Sequence, residues 1–334
     1  MKILSCCPPG YYAKTTGVSY EYLSFVEIPR LMGHTVHNFD FHLACKYGKD
    51  HMNDFFLSIV KNGGYDLVFI QTYKDEFIPE VLDEAKKYSI TMAWNTDDDW
   101  RWDRYSCKWV EHYTFMVTTY RHIYEENKGK HPNLLLSQWG CTGFDDGFSV
   151  PKDIDISFVG ACYGTRIKPV TRLCKEFGMA AYGKNVGSPR TWINIWKERF
   201  ARRILGLEII TKDLELDTQS DVKNIWNRSK ISFSPLESSK GDVIQIKARV
   251  FDLGLSGSVM LCTKNPAMYE FYEPGKEFVE YETMDECVDK AKYLLKNESE
   301  RSGIAKRYYE RTKKEHLWTH RFTDLFKKVE LSNK

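Results

Sequence analysis

Short apolar runs, several of them rich in β-branched residues, recur along this chain with helix-length segments between them, and this alternation restricts the fold more than any other feature. In the first half the runs fall at residues 2–7, 35–39, 66–71, 90–94, 113–118 and 133–137. In the second they fall at 154–159, 179–182, 231–234, 258–262 and 277–281. Runs that are apolar throughout, rather than alternating with polar residues, belong to strands buried on both faces, which is the habit of parallel sheets covered by helices. The intervening segments supply those helices, at 19–32, 78–88, 120–128, 167–177, 191–203, 220–228, 284–296, 298–314 and 318–329. Pro29 falls inside the first and predicts a kink or an early end, with Tyr22, Leu23, Val26 and Ile28 turned towards the sheet. The alternation restarts after residues 140–153, which are rich in Gly, Asp and Pro. The fold class is therefore α/β, in two doubly wound, Rossmann-like domains at 1–150 and 151–315, with a closing helix at 316–334. No internal sequence repeat accompanies the architectural one.

A chain of 334 residues with 42% hydrophobic content can bury two cores of this size. The net charge of +2, from 48 basic and 46 acidic residues, leaves no basic stripe of the kind a dedicated DNA-binding surface needs. The nine cysteines are odd in number and form no Cys-x-x-Cys pair, and Cys6 and Cys7 are adjacent in a strand. Reduced thiols, a cytoplasmic location, and neither a disulfide nor a zinc site are expected. The apolar start before Pro8-Pro9 is too short for a signal core and reads as the first strand, and no run approaches the roughly 20 apolar residues of a membrane span.

The most informative stretch is 244–282. Lys247 to Ser256 predicts a short helix with a carboxylate in it, Gly257 its left-handed cap, and 258–262 a buried strand entered directly from that cap. The residues Arg249-Val-Phe-Asp252, Leu-Ser-Gly257, Phe-Tyr-Glu-Pro-Gly-Lys-Glu277 and His316-Leu-Trp-Thr-His-Arg321 resemble the C-terminal domain of nucleotide-sugar glycosyltransferases related to the spore-maturation protein CgeB. The family pattern reads Arg-x-Phe-Glu, so Asp252 stands where a Glu is expected. What the resemblance implies is the GT-B architecture, two facing domains with a cleft between them. It also implies transfer of a sugar from a nucleotide-diphosphate sugar, UDP-sugar favoured by base rate, to an acceptor that the sequence leaves open among glycans, small molecules, proteins and nucleic acids. The donor is a co-substrate, and no resident cofactor or metal is expected.

Such chemistry requires cations and helix N-termini at the diphosphate and an acceptor for the ribose hydroxyls. Gly17 ends a glycine-bearing loop after the first strand, and Gly160 opens the corresponding loop in the second half. Arg166, at the following helix start, matches the family's Phe-Val-Gly-loop-Arg pattern and is read as a phosphate-binding cation, against a surface Arg that the helix dipole disfavours. The resemblance makes Asp252 the ribose ligand. Arg249, three residues earlier on the same face, either pairs with it or reaches the diphosphate, and Lys247 is a second cation. The acid that related retaining enzymes carry eight positions earlier is replaced by Ile244, which leaves the sugar-contacting acid unassigned and keeps open a non-catalytic nucleotide-sugar-binding protein. Asp97-Asp98-Asp99 follows a strand end and admits three readings: acceptor-side catalysis by Asp97 and Asp99, capping of the next helix, or an Asp-x-Asp metal site in a metal-dependent transferase. The nine histidines show no ligand spacing.

Overall fold

The computed structural model describes residues 1–10, 18–144, 146–162, 164–183, 219–237 and 245–332. The chain divides into two compact units, Met1–Thr142 with Leu317–Lys334, and Gly143–His316.

Unit 1 is built on six strands: β1 Lys2–Cys6, β2 Thr35–Asn38, β3 Leu67–Gln71, β4 Ile90–Trp94, β5 Phe115–Thr118 and β6 Leu134–Leu136. They pair in parallel in the order β2-β1-β3-β4-β5-β6. β3 is buried at every position, as its unbroken apolar run requires for a strand covered on both faces. A helix at Lys49–Gly63, absent from the sequence-based reading, joins β2 to β3. Met52, Phe56 and Val60 are spaced by four along its buried face, and Gly64, at φ 58°, ends it in the left-handed conformation. The buried Asn53 in the same helix accepts a hydrogen bond from the Ile78 N–H at 2.9 Å and donates to the Glu76 carbonyl at 3.0 Å, tying the loop after β3 to the helix.

The helix carrying Pro29 neither stops nor simply bends. Residues Leu23–Glu27 are wound as a π-helix immediately before Ile28–Leu31, with Pro29 in the first turn of that last segment. Proline has no N–H to donate and its ring crowds the carbonyl four residues earlier, and widening the preceding turn relieves both. The wider turn also rotates the buried face. Phe25 enters the core, whereas Tyr22 and Leu23, expected there, stay half-buried. Phe25 packs on Phe69, Trp94, Trp318 and Phe322 with ring centroids 5.1 to 6.4 Å apart, so the end of the chain is part of this core. Trp318 is fully buried. Its indole N–H donates to the Tyr20 hydroxyl at 2.9 Å and its backbone N–H to the Cys141 carbonyl at 2.9 Å. Both polar ends of a buried aromatic pair are thereby satisfied.

Unit 2 repeats the plan with five parallel strands: β7 Ile154–Val159, β8 Ala180–Tyr182, β9 Ser229–Phe233, β10 Val259–Thr263 and β11 Val279–Tyr281, in the order β11-β10-β9-β7-β8. The helix Ile167–Phe177 is closed by Gly178 at φ 63°. The helix Ala248–Asp252 runs into a 3₁₀ turn, Leu253–Leu255, and then Gly257 at φ 70°. A Cβ on Gly257 would lie 2.8 Å from the Phe148 Cα, so both the backbone angle and the space require glycine at this joint. The expected helix at 191–203 lies outside the described residues. No helix among the described residues is long and apolar enough to cross a membrane.

Candidate functional site

Each sheet has one place where the strand order reverses. There the loops leaving two neighbouring strands part in opposite directions and open a crevice beyond the strand ends, which is where open α/β sheets take ligands. In unit 2 the reversal lies between β7, whose other neighbour is β8, and β9. The residues singled out in the second half of the sequence gather there.

Gly160 follows β7 directly, at φ 152°, and donates its N–H to the Tyr182 carbonyl at 2.9 Å. A Cβ at this position would meet Nη1 of Arg249 at 2.9 Å. Arg249 in turn donates from Nη1 to the Val159 carbonyl at 3.1 Å, so its guanidinium lies across the end of β7 and glycine is what admits it. Arg166 occupies the 3₁₀ turn Gly164–Arg166 at the entrance to the helix Ile167–Phe177. The sequence left it as either an exposed surface Arg or a phosphate ligand. It is 2% exposed, with Nη1 donating to the Ala161 carbonyl at 3.1 Å and Nη2 to the Glu237 carbonyl. Lys247, the residue before the helix Ala248–Asp252, also donates from Nζ to the Glu237 carbonyl. Two cations thus share one carbonyl oxygen just beyond β9, and a third lies over the end of β7. Asp252 is buried at the end of the same short helix, 6% exposed.

Sequence reasoning missed Glu237. Its carbonyl gathers Arg166 and Lys247, its Oε1 accepts from the Thr263 hydroxyl at 2.7 Å, and its Oε2 is buried with no hydrogen-bond partner among the described residues. The search for an acid relied on a fixed spacing before Asp252 and stopped at Ile244, which lies outside the described residues. The usable signal was its position as the first charged residue past a strand at the order reversal. Gly17 also lies outside the described residues.

Asp97, Asp98 and Asp99 sit in unit 1, past the end of β4. Asp97 adopts φ 62°, the one non-glycine residue with positive φ among those described. Its side chain makes no capping bond to the helix Asp98–Arg101 that it precedes, contrary to the capping reading. Asp98 is fully buried and accepts from the Ser106 hydroxyl at 2.5 Å. Burial pushes its carboxyl up to about 6, against the pull of Ser106, Thr118 and the Arg101 charge. Among the described residues no group of three His, Cys, Asp or Glu side chains is placed to hold a metal ion.

Residues 176–327 match the protein family described as glycosyl transferase-like. Among curated proteins, none matches the sequence. The fold matches solved glycosyltransferases over essentially the whole chain. One from Rickettsia africae has a TM-score of 0.62 at 12% identity, covering 100% of this chain and 98% of the other. HepE from Anabaena, in complex with UDP, gives 0.63 at 12% identity with 99% and 100% covered. An α-glucosyltransferase in complex with UDP and a DNA 13-mer gives 0.64 at 11% identity with 99% of each covered. At such identities the likeness carries the fold, which is the GT-B fold. The class that this fold and the matched domain define is an enzyme of the glycosyltransferase type.

Proposed function

We propose that the protein transfers a sugar from a nucleotide-diphosphate sugar, with UDP as the nucleotide, and that the order reversal in unit 2 takes the donor. The observation that carries this reading is the gathering of Arg166, Lys247 and Arg249 at the ends of β7 and β9, in the unit that holds most of the residues matching the glycosyl transferase-like family. As the sugar-phosphate bond breaks, negative charge accumulates on the leaving diphosphate. Cations fixed in place by carbonyl hydrogen bonds stabilise that charge with little reorganisation. Three such cations supply what a divalent metal supplies elsewhere, so the transfer proceeds without one. Asp252 takes the ribose hydroxyls, and unit 1 takes the acceptor. Solved neighbours bound to UDP, or to UDP and DNA, support the nucleotide and leave the acceptor class open.

Thermal shift with UDP, GDP, ADP and CMP, each with and without manganese, tests this. A ligand at 100 times its Kd stabilises the folded state by about 2.7 kcal/mol. UDP is expected to raise Tm without metal. A shift seen only with manganese and abolished by Asp97→Ala would instead establish the Asp-x-Asp metal reading.

A further inference from the structure

The Gly-, Asp- and Pro-rich stretch at which the alternation restarts ends in residues 146–153, and these are fastened onto unit 2. Asp146 accepts from the Tyr309 hydroxyl of the helix Glu298–Glu315, Phe148 packs on the Tyr309 ring with centroids 4.8 Å apart, and Asp153 accepts from Nε of Arg228 at 2.9 Å. Between these fastenings the half-buried Lys152 donates from Nζ to three backbone carbonyls: Gly147 at 3.1 Å, Ser256 at 2.5 Å, and Asn227. An ammonium has three hydrogens to donate, so each has its acceptor. Two of the three carbonyls belong to helix ends. Asn227 lies in the last turn of the helix Gln219–Arg228, and Ser256 follows the 3₁₀ turn that continues the helix Ala248–Asp252. Such carbonyls have no partner within their own helix and carry the negative end of its dipole, so one cation satisfies and stabilises both ends. Burial lowers the ammonium to about 8, which leaves it charged at neutral pH. The fit around it is close: a Cβ on Gly257 would lie 3.1 Å from Nζ.

From this geometry we infer that Lys152 is a positioning residue for the donor: by holding the Ser256 carbonyl it fixes the end of the helix Ala248–Asp252, and so sets where Arg249 meets the diphosphate. This deepens the donor reading above and rests on it. Ser256 follows Arg249 by seven residues, about 10 Å along a helix. The chain between them is helix and 3₁₀ turn without a break, so a shift at the Ser256 end is carried to Arg249 rather than absorbed in a loop. The flank of the helix is held separately. The Tyr308 hydroxyl donates to the Val250 carbonyl, and a Cβ on Gly254 would lie 1.9 Å from Oγ1 of Thr312. Arg249 tolerates little displacement, because Nη1 both reaches the Val159 carbonyl at 3.1 Å and passes within 2.9 Å of where a Cβ on Gly160 would stand. A small slip of the helix therefore breaks the bond that holds the guanidinium across the end of β7.

The test titrates UDP and uridine calorimetrically into the full-length wild type, Lys152→Met, Arg249→Ala and the double variant. Lys152→Met keeps the stem and removes the charge and the donors. It is expected to lower the preference for UDP over uridine about tenfold, the size of a weakened hydrogen bond to a charged group. In the Arg249→Ala background, where the group it positions is gone, the same change should cost less than about threefold. Equal losses in the two backgrounds overturn the inference, as does a wild-type preference in Lys152→Met. Leu294→Ala opens a cavity in the core of the same unit, lowers Tm and should leave the preference unchanged. An equal loss of preference there would make the Lys152 effect one of general stability and overturn the inference. Coupling between two places is reciprocal, so UDP should also slow hydrogen exchange at the Gly147 N–H of the wild type, which donates to the Leu255 carbonyl at 3.0 Å. That measurement stands even where Lys152→Met does not fold, and unchanged exchange in the UDP-saturated wild type overturns the inference. Absence of UDP binding in the wild type overturns the donor reading itself, and the inference with it.

Discussion

The two sheets follow the same order, β2-β1-β3-β4-β5 in unit 1 and β8-β7-β9-β10-β11 in unit 2, yet the chemistry at their two reversals is opposite. In unit 2 the strand ends are crossed by Arg166, Lys247 and Arg249, each held by a backbone carbonyl. In unit 1 the same topological position carries Glu21 with its amide neighbour Gln71, and one strand further along lies the buried Asp98. Topology therefore fixes where a ligand can sit, and the side chains at the strand ends decide what it is. Fixed cations suit a diphosphate that gains charge, while a desolvated carboxylate holds its proton more tightly.

The comparison is tested most forcefully at Asp98, because the cost of desolvating its carboxylate can be read from the pH dependence of stability. Its folded-state pKa of about 6 lies above its ordinary 3.8. The folded state therefore binds the proton more tightly, and the penalty is absent below pH 4, grows from pH 4 to 6 and is complete above pH 6. At about 1.4 kcal/mol per pKa unit, that amounts to roughly 3 kcal/mol at pH 8. Asp98→Asn keeps an oxygen for Ser106 and is expected to raise apo stability at pH 8 by up to about that amount, flattening the dependence between pH 4 and 6. Denaturant melts at pH 4.5, 6 and 8 would show this. A variant less stable than wild type at pH 8 would mean that the charge is needed for the fold.

A smaller effect is expected at Asp252, the one carboxylate among the unit 2 candidates named from sequence. If it accepts from ribose hydroxyls, Asp252→Asn weakens UDP binding by about 1.5 to 3 kcal/mol and leaves the apo melt near wild type. Calorimetric titration with UDP, beside melting of the apo protein, separates the two roles. A lower apo Tm with unchanged UDP affinity would make Asp252 a structural residue and sharpen unit 2 into a purely cationic site.

The strands, the joint at Gly257 and the helix Ile167–Phe177 were legible because apolar period and glycine punctuation are local signals. The π-turn before Pro29 was not, because a proline predicts disturbance and the sequence does not say whether the helix stops, bends or widens. The burial of Arg166 depends on a carbonyl 71 residues away, and nothing near Arg166 announces it. Glu21 reads along the chain as an ordinary acidic residue in a first helical turn. Only the placement of β1 beside β3 brings it to Gln71, and that ordering of strands is invisible to local pattern.

The central claim is that the unit 2 cations read the diphosphate, and the most direct measurement compares UDP with uridine by titration calorimetry in wild type and Arg249→Ala. Hydrogen bonds to a charged partner contribute about 1.5 to 3 kcal/mol each. Wild type should therefore prefer UDP over uridine by well over tenfold, and Arg249→Ala should cut that preference by about tenfold to a hundredfold while leaving uridine binding unchanged. An undiminished preference for UDP in Arg249→Ala would contradict the account.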